Sequence, residues 1–294
     1  MTITEPAPLK LEKYIGQELI RAQLRVWIDR ALLDNKPLPH VMMVSPPGMG
    51  KTSLAYTIVA ELGEPLLQLD LSRMNARRLL SVMTSFESGV IFCDEVHQAT
   101  KAQQDLLLQV LAEGKLSMPY GGHVEYAWLT FLAATTHPEQ LDPAFLRRFK
   151  IQLEWEGYSE DEMCQMIQQM AIEAQAELPE EDARSLARAT LGVPSAARDL
   201  FDAYWALRPS STVPKALALV NRAPDGLSNQ HLRYMDFLRG EQMGERLLAK
   251  GLRVHPSVLA EIERVLHEKG YLQFGPTGRM LTPAAYRRLS ETKG

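Results

Sequence analysis

The residues with the clearest chemistry are Ser45-Pro46-Pro47-Gly48-Met49-Gly50-Lys51-Thr52, which follow an apolar run at 41–44 and precede a helical pattern beginning near Ser53. Glycines let consecutive backbone N–H groups turn toward phosphates, Lys51 neutralises the β and γ phosphates of a nucleotide, and the Thr52 hydroxyl holds Mg2+ at the positive helix end. Ser45 stands where the strict motif has glycine, a change that removes no ligand. About forty residues on, Val90-Ile91-Phe92-Cys93 ends in Asp94-Glu95. That places two carboxylates at the edge of a sheet where ligands of open α/β folds bind. Asp94 is expected to hold the hydration shell of Mg2+, and Glu95 to polarise an attacking water. A further apolar run, 129–134, ends in Thr135-Thr136, whose hydroxyls can orient a water or meet the γ-phosphate. In Phe145-Leu146-Arg147-Arg148-Phe149 the two guanidinium groups can act on a phosphate held by a neighbouring subunit.

Positioning these groups requires strands that alternate with helices. Apolar or alternating stretches at 41–44, 66–71, 90–93, 129–134 and 151–153 read as strands, and 54–62 and 101–111 read as helices. This alternation predicts a parallel sheet covered on both faces. From Ser159 the pattern turns wholly helical. Ser159-Glu160-Asp161-Glu162 forms a capping box for a helix through Ala174, with further helices at 180–190 and 194–207. Breakers lie at 209–214 and at Arg222-Ala223-Pro224-Asp225-Gly226. Beyond them come helices near 228–238, 242–252 and 257–269, then a hairpin of Tyr271–Phe274 and Arg279–Thr282 around Gly275-Pro276-Thr277-Gly278, a winged-helix pattern. The expected fold class is therefore an α/β P-loop domain with a parallel sheet covered by helices, then a small helical lid and a C-terminal winged helix. The expected domains are 1–157, 158–223 and 224–294.

A chain of 294 residues accommodates two or more domains, and its composition is that of an ordinary globular protein. The net charge of −4 excludes a global positive field of the kind that marks many nucleic-acid binders. The charge is unevenly placed, however. From Ser228 onward there are 11 Lys/Arg against 7 Asp/Glu, whereas residues 1–227 hold 21 against 29. No apolar run is long enough to span a membrane, and Met1–Pro6 lacks the marks of a secretory signal, so a cytoplasmic location without membrane attachment is expected. Cys93 and Cys164 lie in apolar segments 71 positions apart and read as reduced core thiols.

Taken together these residues resemble the AAA+ class of P-loop ATPases and, within it, the RuvB family of Holliday-junction branch-migration motors. Tyr14-Ile15-Gly16-Gln17 is similar to that family's adenine-side motif, Pro46 to Thr52 to its Walker A, Asp94-Glu95-Val96-His97 to its Walker B, and Ala134-Thr135-Thr136 to its sensor 1. Leu146-Arg147-Arg148-Phe149 resembles its arginine-finger segment, with Arg148 as the finger. Asp225-Gly226-Leu227, Gly270-Tyr271-Leu272, Gly278-Arg279 and Thr282-Pro283-Ala284-Ala285-Tyr286 are similar to its winged helix. The resemblance implies an ATP- and Mg2+-dependent hydrolase that assembles as a homohexamer and drives double-stranded DNA through a four-way junction. Its implied nucleotide contacts are Tyr14, Ile15, Pro47, Gly48, Met49, Gly50, Lys51, Thr52, Ser53, Tyr158 and Arg198. Thr52 and Asp94 serve the metal; Lys51, Asp94, Glu95, Thr136 and Arg148 serve the reaction. Arg279, with Lys269 and Arg264, is the implied contact to DNA phosphates.

Three positions depart from the family pattern. Its sensor 2 turn ends in an arginine where this chain has Gly192-Val193-Pro194-Ser195, and Arg198, one helical turn on, is the substitute. The hairpin at 117–129, which in the family docks the junction-binding partner RuvA, is shorter here. The wing carries Thr277 where the family usually has an additional arginine. A nucleotide-switched AAA+ adaptor of the helicase- or clamp-loader type, binding DNA without translocating, is the alternative reading.

Overall fold

The computed structural model describes residues 3–4, 10–86, 88–117, 121–126, 128–276 and 278–291, in two compact units that divide after Tyr158. The first unit runs β1 (Ile3–Thr4), α1 (Glu18–Asp34), β2 (Val41–Val44), α2 (Lys51–Leu62), β3 (Leu66–Leu69), α3 (Ala76–Thr84), β4 (Ser88–Cys93), α4 (Lys101–Glu113), β5 (Lys115–Ser117), β6 (His123–Glu125), β7 (Trp128–Thr135), α5 (Pro143–Leu146) and β8 (Ile151–Glu154). Its main sheet has the order β1-β3-β4-β7-β2-β8, parallel except where β1 joins β3. β5 and β6 form a separate antiparallel hairpin.

The central strands are apolar at nearly every position because both faces are covered. Val41 and Met43 enter the cluster built with Leu24, Ile28, Leu54 and Ile58 of α1 and α2. Met42, between them, faces the opposite cluster with Leu79 and Met83 of α3 and Leu107 and Val110 of α4. Val90 and Phe92 likewise go to the first cluster, Ile91 and Cys93 to the second. Cys93 and Cys164 are both buried free thiols.

Local chemistry explains where the elements differ from the sequence reading. β3 stops at Leu69 instead of continuing to Leu71, because Asp70 Oδ1 accepts the Ser72 N–H at 3.1 Å and turns the chain. α3, which the periodicity reading passed over, is capped by Asn75, whose side chain accepts the Arg78 N–H at 2.9 Å. α2 begins at Lys51 itself, two residues earlier than expected.

The second unit holds α6 (Glu160–Glu173), α7 (Glu180–Arg188), α8 (Pro194–Ala206), α9 (Val213–Leu219), α10 (Asn229–Phe237), α11 (Glu245–Leu252), α12 (Pro256–Glu268), β9 (Leu272–Gly275), β10 (Gly278–Leu281) and α13 (Pro283–Glu291). The Ser159–Glu162 capping box is formed as the sequence indicates. The stretch 209–214, read as a breaker, separates α8 from α9 over 209–212, and its last two residues open α9: Pro214 occupies the first turn, where no N–H is needed. α10 to α13 and the β9–β10 hairpin surround one apolar core that includes Leu227, Tyr234, Leu248, Leu259, Leu266 and Leu289. The chain enters that core through the turn at Gly226 (φ +85°), where an added Cβ would lie 2.7 Å from the Leu191 side chain. The Arg222 guanidinium spans the turn, donating to the carbonyls of Ala189 and Gly226 at 3.2 and 3.1 Å. Thr277 of the wing sequence and residues 118–120 and 127 of the 117–129 stretch lie outside the described residues. Among the described residues no helix is long and apolar enough to cross a membrane.

Candidate active site

The sheet order brings three strand ends together. β7 lies between β2 and β4, so the loop after β2, the hydroxyls after β7 and the carboxylates after β4 share the carboxyl edge. The Ser45 N–H donates to the Thr135 carbonyl at 3.3 Å, which fixes the first residue of the phosphate loop against the sensor strand.

Within the loop, Gly48 and Gly50 have φ of +78° and +98°, a region that costs side-chain-bearing residues strain. Gly50 is restricted by a second constraint, since a Cβ would stand 2.9 Å from the Tyr14 hydroxyl. Lys51 is only 6% exposed. Its ammonium donates to Ser45 O at 2.9 Å, Ser45 Oγ at 3.3 Å and Pro46 O at 3.2 Å. Burial lowers its pKa, with Glu95 and Asp94 opposing the shift. A buried cation satisfied only by neutral oxygens of its own loop is suited to exchanging them for anionic ones. Ser45 thus replaces a motif glycine yet supplies an additional acceptor to Lys51.

Thr52 Oγ1 donates to Asp94 Oδ2 at 3.1 Å, bringing together a hydroxyl and a carboxylate. Hard oxygen donors of this kind suit Mg2+, which keeps several waters and takes the rest of its shell from substrate phosphates. Among the described residues no three His, Cys, Asp or Glu side chains converge as a metal cage.

Glu95 adopts a left-handed backbone (φ +46°), sparsely populated for a residue with a side chain and common at functional turns. Its Oε2 accepts the Thr136 hydroxyl at 2.9 Å and the Thr136 N–H at 3.3 Å. His97 Nδ1 lies 3.2 Å from the same oxygen and 3.0 Å from Thr135 Oγ1. The His97 ring meets the His137 ring edge-on at 5.0 Å. Burial lowers the His97 pKa, so its neutral form is favoured. His97, quoted within the Walker B-like stretch, thus has the Glu95 carboxylate as one of its partners.

On the N-terminal side Tyr14 and Tyr158, both 7% exposed, place their hydroxyls 3.3 Å apart. Tyr14 donates to Gly50 O at 3.4 Å and Tyr158 to Met49 O at 3.3 Å, so both rest on the phosphate loop. Ile15 is half-buried beside them. Gln17, quoted in the adenine-side motif but not expected to act, exchanges two hydrogen bonds with the Glu156 backbone at 2.8 and 3.2 Å. It thereby ties the N-terminal motif to the segment that carries Tyr158. A buried amide spanning 139 residues leaves no local signal.

Arg147 and Arg148 follow α5 and are exposed between Phe145 and Phe149, which are buried with their rings 5.3 Å apart. Among the described residues neither arginine has an ion-pair partner. In the second unit Ser195 and Arg198 share the exposed face of α8, while Ala196, Ala197 and Leu200 are buried. Arg279 is engaged within its own domain: Nε and one terminal nitrogen donate to the two Glu263 oxygens at 2.9 and 3.0 Å, and Glu245 accepts a further bond at 3.1 Å. Arg264 pairs with Glu268 at 2.8 Å, and Lys269 is half-buried.

A parallel sheet with a glycine-lined loop opening a helix, a buried loop lysine and paired carboxylates on the neighbouring strand end defines a P-loop ATPase, a nucleotide-binding hydrolase. Two family profiles match, one described as "Holliday junction DNA helicase RuvB P-loop domain" over residues 7–155, the other as "RuvB C-terminal winged helix domain" over 224–290. The chain belongs to the RuvB family. It is 28% identical to the Holliday junction branch migration complex subunit RuvB of Kosmotoga olearia, over 96% of this chain and 89% of that one. The Streptococcus agalactiae subunit of the same name is also 28% identical, over 96% and 92%. Among solved structures, the Thermotoga maritima RuvB Holliday junction branch migration motor matches with a TM-score of 0.83 at 27% identity, covering 96% of this chain and 97% of that one.

Proposed function

We propose that this protein is an ATP-driven motor on double-stranded DNA that promotes branch migration of Holliday junctions in recombination and repair. The observation that carries the reading is the assembly of Lys51, Thr52, Asp94, Glu95 and Thr136 at one sheet edge, in a chain that matches RuvB profiles at both ends. Bound Mg2+–ATP supplies the phosphoryl group whose transfer to water drives the cycle. The loop N–H groups at the start of α2 and the Lys51 ammonium hold the phosphates, and Thr52 and Asp94 hold the ion. Thr136 and His97 occupy Oε2 of Glu95, which leaves Oε1 to take the proton of the attacking water. Arg148, exposed and without an ion-pair partner among the described residues, fits a finger that neutralises phosphate charge across a subunit boundary. Arg198 is the substitute for the missing sensor 2 arginine. Tyr14, Ile15 and Tyr158 border the base side, with Pro47, Gly48, Met49, Gly50 and Ser53 completing the nucleotide contacts.

The same reading includes a homohexameric ring, a cytoplasmic setting, domains at 1–157, 158–223 and 224–294, and a RuvA-like partner docking at the 117–129 hairpin. The test is ATP-dependent branch migration of a labelled synthetic four-way junction by the purified protein, with Lys51→Ala as control. Junctions should resolve into duplex arms only with ATP and the unaltered chain. Hydrolysis that leaves junctions intact, both alone and with a RuvA-like protein added, favours the adaptor reading, toward which Ser195 at the sensor 2 position points.

A further inference from the structure

We propose that α11 is the surface by which this protein grips duplex DNA, with Arg246, Lys250 and Arg253 on the phosphates, and that Arg279 of the wing acts inside the domain as a latch. This rests on the DNA-motor reading above and names the contact surface of that motor.

Arg246 and Lys250 fall at i and i+4 on one face of α11, Arg253 caps the helix C-terminus in a left-handed backbone (φ +57°), and all three are exposed. The opposite face carries Leu248 and Leu252 into the domain core. At about 1.5 Å per residue the stripe is roughly 10 Å long. One DNA strand carries a phosphate about every 3.4 Å of axis, so the stripe faces about three of them.

The charge of the stripe is unspent. Among the described residues no carboxylate pairs with any of the three.

The other candidate faces of the domain are neutralised. Arg279 makes its fork of bonds to Glu263, a carboxylate 5% exposed that also accepts the Tyr234 hydroxyl at 2.9 Å. Withdrawing Arg279 toward DNA would leave that carboxylate buried without its cation. The outward face of α12 presents Glu261, Arg264 and Glu268, with Arg264 already paired to Glu268. The wing strands expose Phe274 and Met280 instead of charge. Arg233 and Arg287 are also exposed and without an ion-pair partner among the described residues, but Arg233 is the one Lys or Arg of α10, and the other basic residue of α13, Arg288, pairs with Asp225.

The test is binding of the full chain to a fluorescein-labelled duplex, followed by anisotropy over a salt series with nucleotide present. Each phosphate contact contributes about 0.9 to the slope of log K against log salt. The variant R246Q/K250Q/R253Q should lower the magnitude of that slope by about 2 to 3 and weaken binding at least about tenfold at moderate salt. R233Q/R287Q, which removes two unpaired cations elsewhere in the domain, should keep the original slope. Far-UV circular dichroism melts establish that each variant is folded, and the single variant Lys250→Glu repeats the test with one change at mid-stripe. A triple variant that binds with the unaltered slope overturns the α11 assignment while the DNA-motor reading stands. Equal loss of slope per charge in both multiple variants also overturns it, because binding would then follow net charge alone. An unaltered protein that does not bind duplex overturns both.

Discussion

Glu95 and Thr136, 41 residues apart, are joined by two hydrogen bonds to one oxygen: the Thr136 hydroxyl and backbone N–H reach Glu95 Oε2 at 2.9 and 3.3 Å. The end of β7 therefore sets the orientation of the carboxylate that follows β4. Thr136→Val removes the stronger bond and keeps the shape. It should lower kcat by about tenfold or more with little change in nucleotide affinity, whereas Glu95→Gln, which removes the base, should lower kcat about 10²- to 10⁴-fold. Steady-state kinetics together with direct nucleotide binding separate the two effects. A Thr136→Val enzyme with unaltered kcat would remove Thr136 from the machinery.

Arg148 is exposed and has no ion-pair partner among the described residues, which suits the proposed action on a neighbouring subunit. Arg148→Ala and Glu95→Gln proteins should each be inactive alone and regain hydrolysis on mixing, because mixed interfaces pair an intact finger with an intact base. Absence of rescue, in mixtures shown by light scattering to co-assemble, would dismiss the finger assignment.

Ser195 cannot supply the charge of the family's sensor 2, and Arg198 is exposed on the same face of α8. If Arg198 contacts the γ-phosphate, Arg198→Ala should reduce kcat by about 10²-fold, the cost of losing one donor to transition-state charge. Hydrolysis unchanged in this variant would show that the chain works without a sensor 2 cation.

His40 and His231 are both pushed down to about 4 by burial. Each Nδ1 accepts a backbone N–H, from Phe131 at 3.1 Å and from Ser228 at 3.0 Å, and protonation would set donor against donor. Both folded values lie below the ordinary histidine value, so the unfolded chain binds more protons between about pH 6.5 and 4. Stability should therefore be full above about pH 6.5 and fall as pH drops, by up to about 3 kcal/mol for each histidine. Urea denaturation at pH 7, 6 and 5, repeated with His40→Gln, checks this: the variant should show the flatter dependence.

Arg279→Met strips Glu263 of its cation while preserving most of the side-chain volume. Breaking a buried pair from one side costs about 3 to 5 kcal/mol, so the C-terminal domain should unfold at markedly lower urea. A variant with unchanged stability would show that the Glu263 carboxylate does not need Arg279.

The readable parts of this protein were those in which neighbours in sequence act together. Strand, glycine turn, Lys51-Thr52 and helix follow one another within about a dozen residues, so the phosphate loop was legible, as were Asp94-Glu95 at the end of an apolar strand and the Ser159–Glu162 box. The fold class was legible for the same reason, since strand–helix alternation and the later helices with a hairpin are patterns of short period. α3 and α9 escaped because their starts depend on a single side-chain cap at Asn75 and on a proline that serves a first helical turn as readily as it breaks one. Pairings between residues far apart in sequence could not be read at all. Gln17 meets Glu156, Tyr14 meets Tyr158, and His97 reaches Thr135 through a β4–β7 arrangement that only the sheet order creates. The wing shows the limit most plainly. The resemblance implied Arg279 as a contact to DNA phosphates, but Glu263 lies on another element and is buried, and a charge is free or engaged according to what the packed chain places beside it.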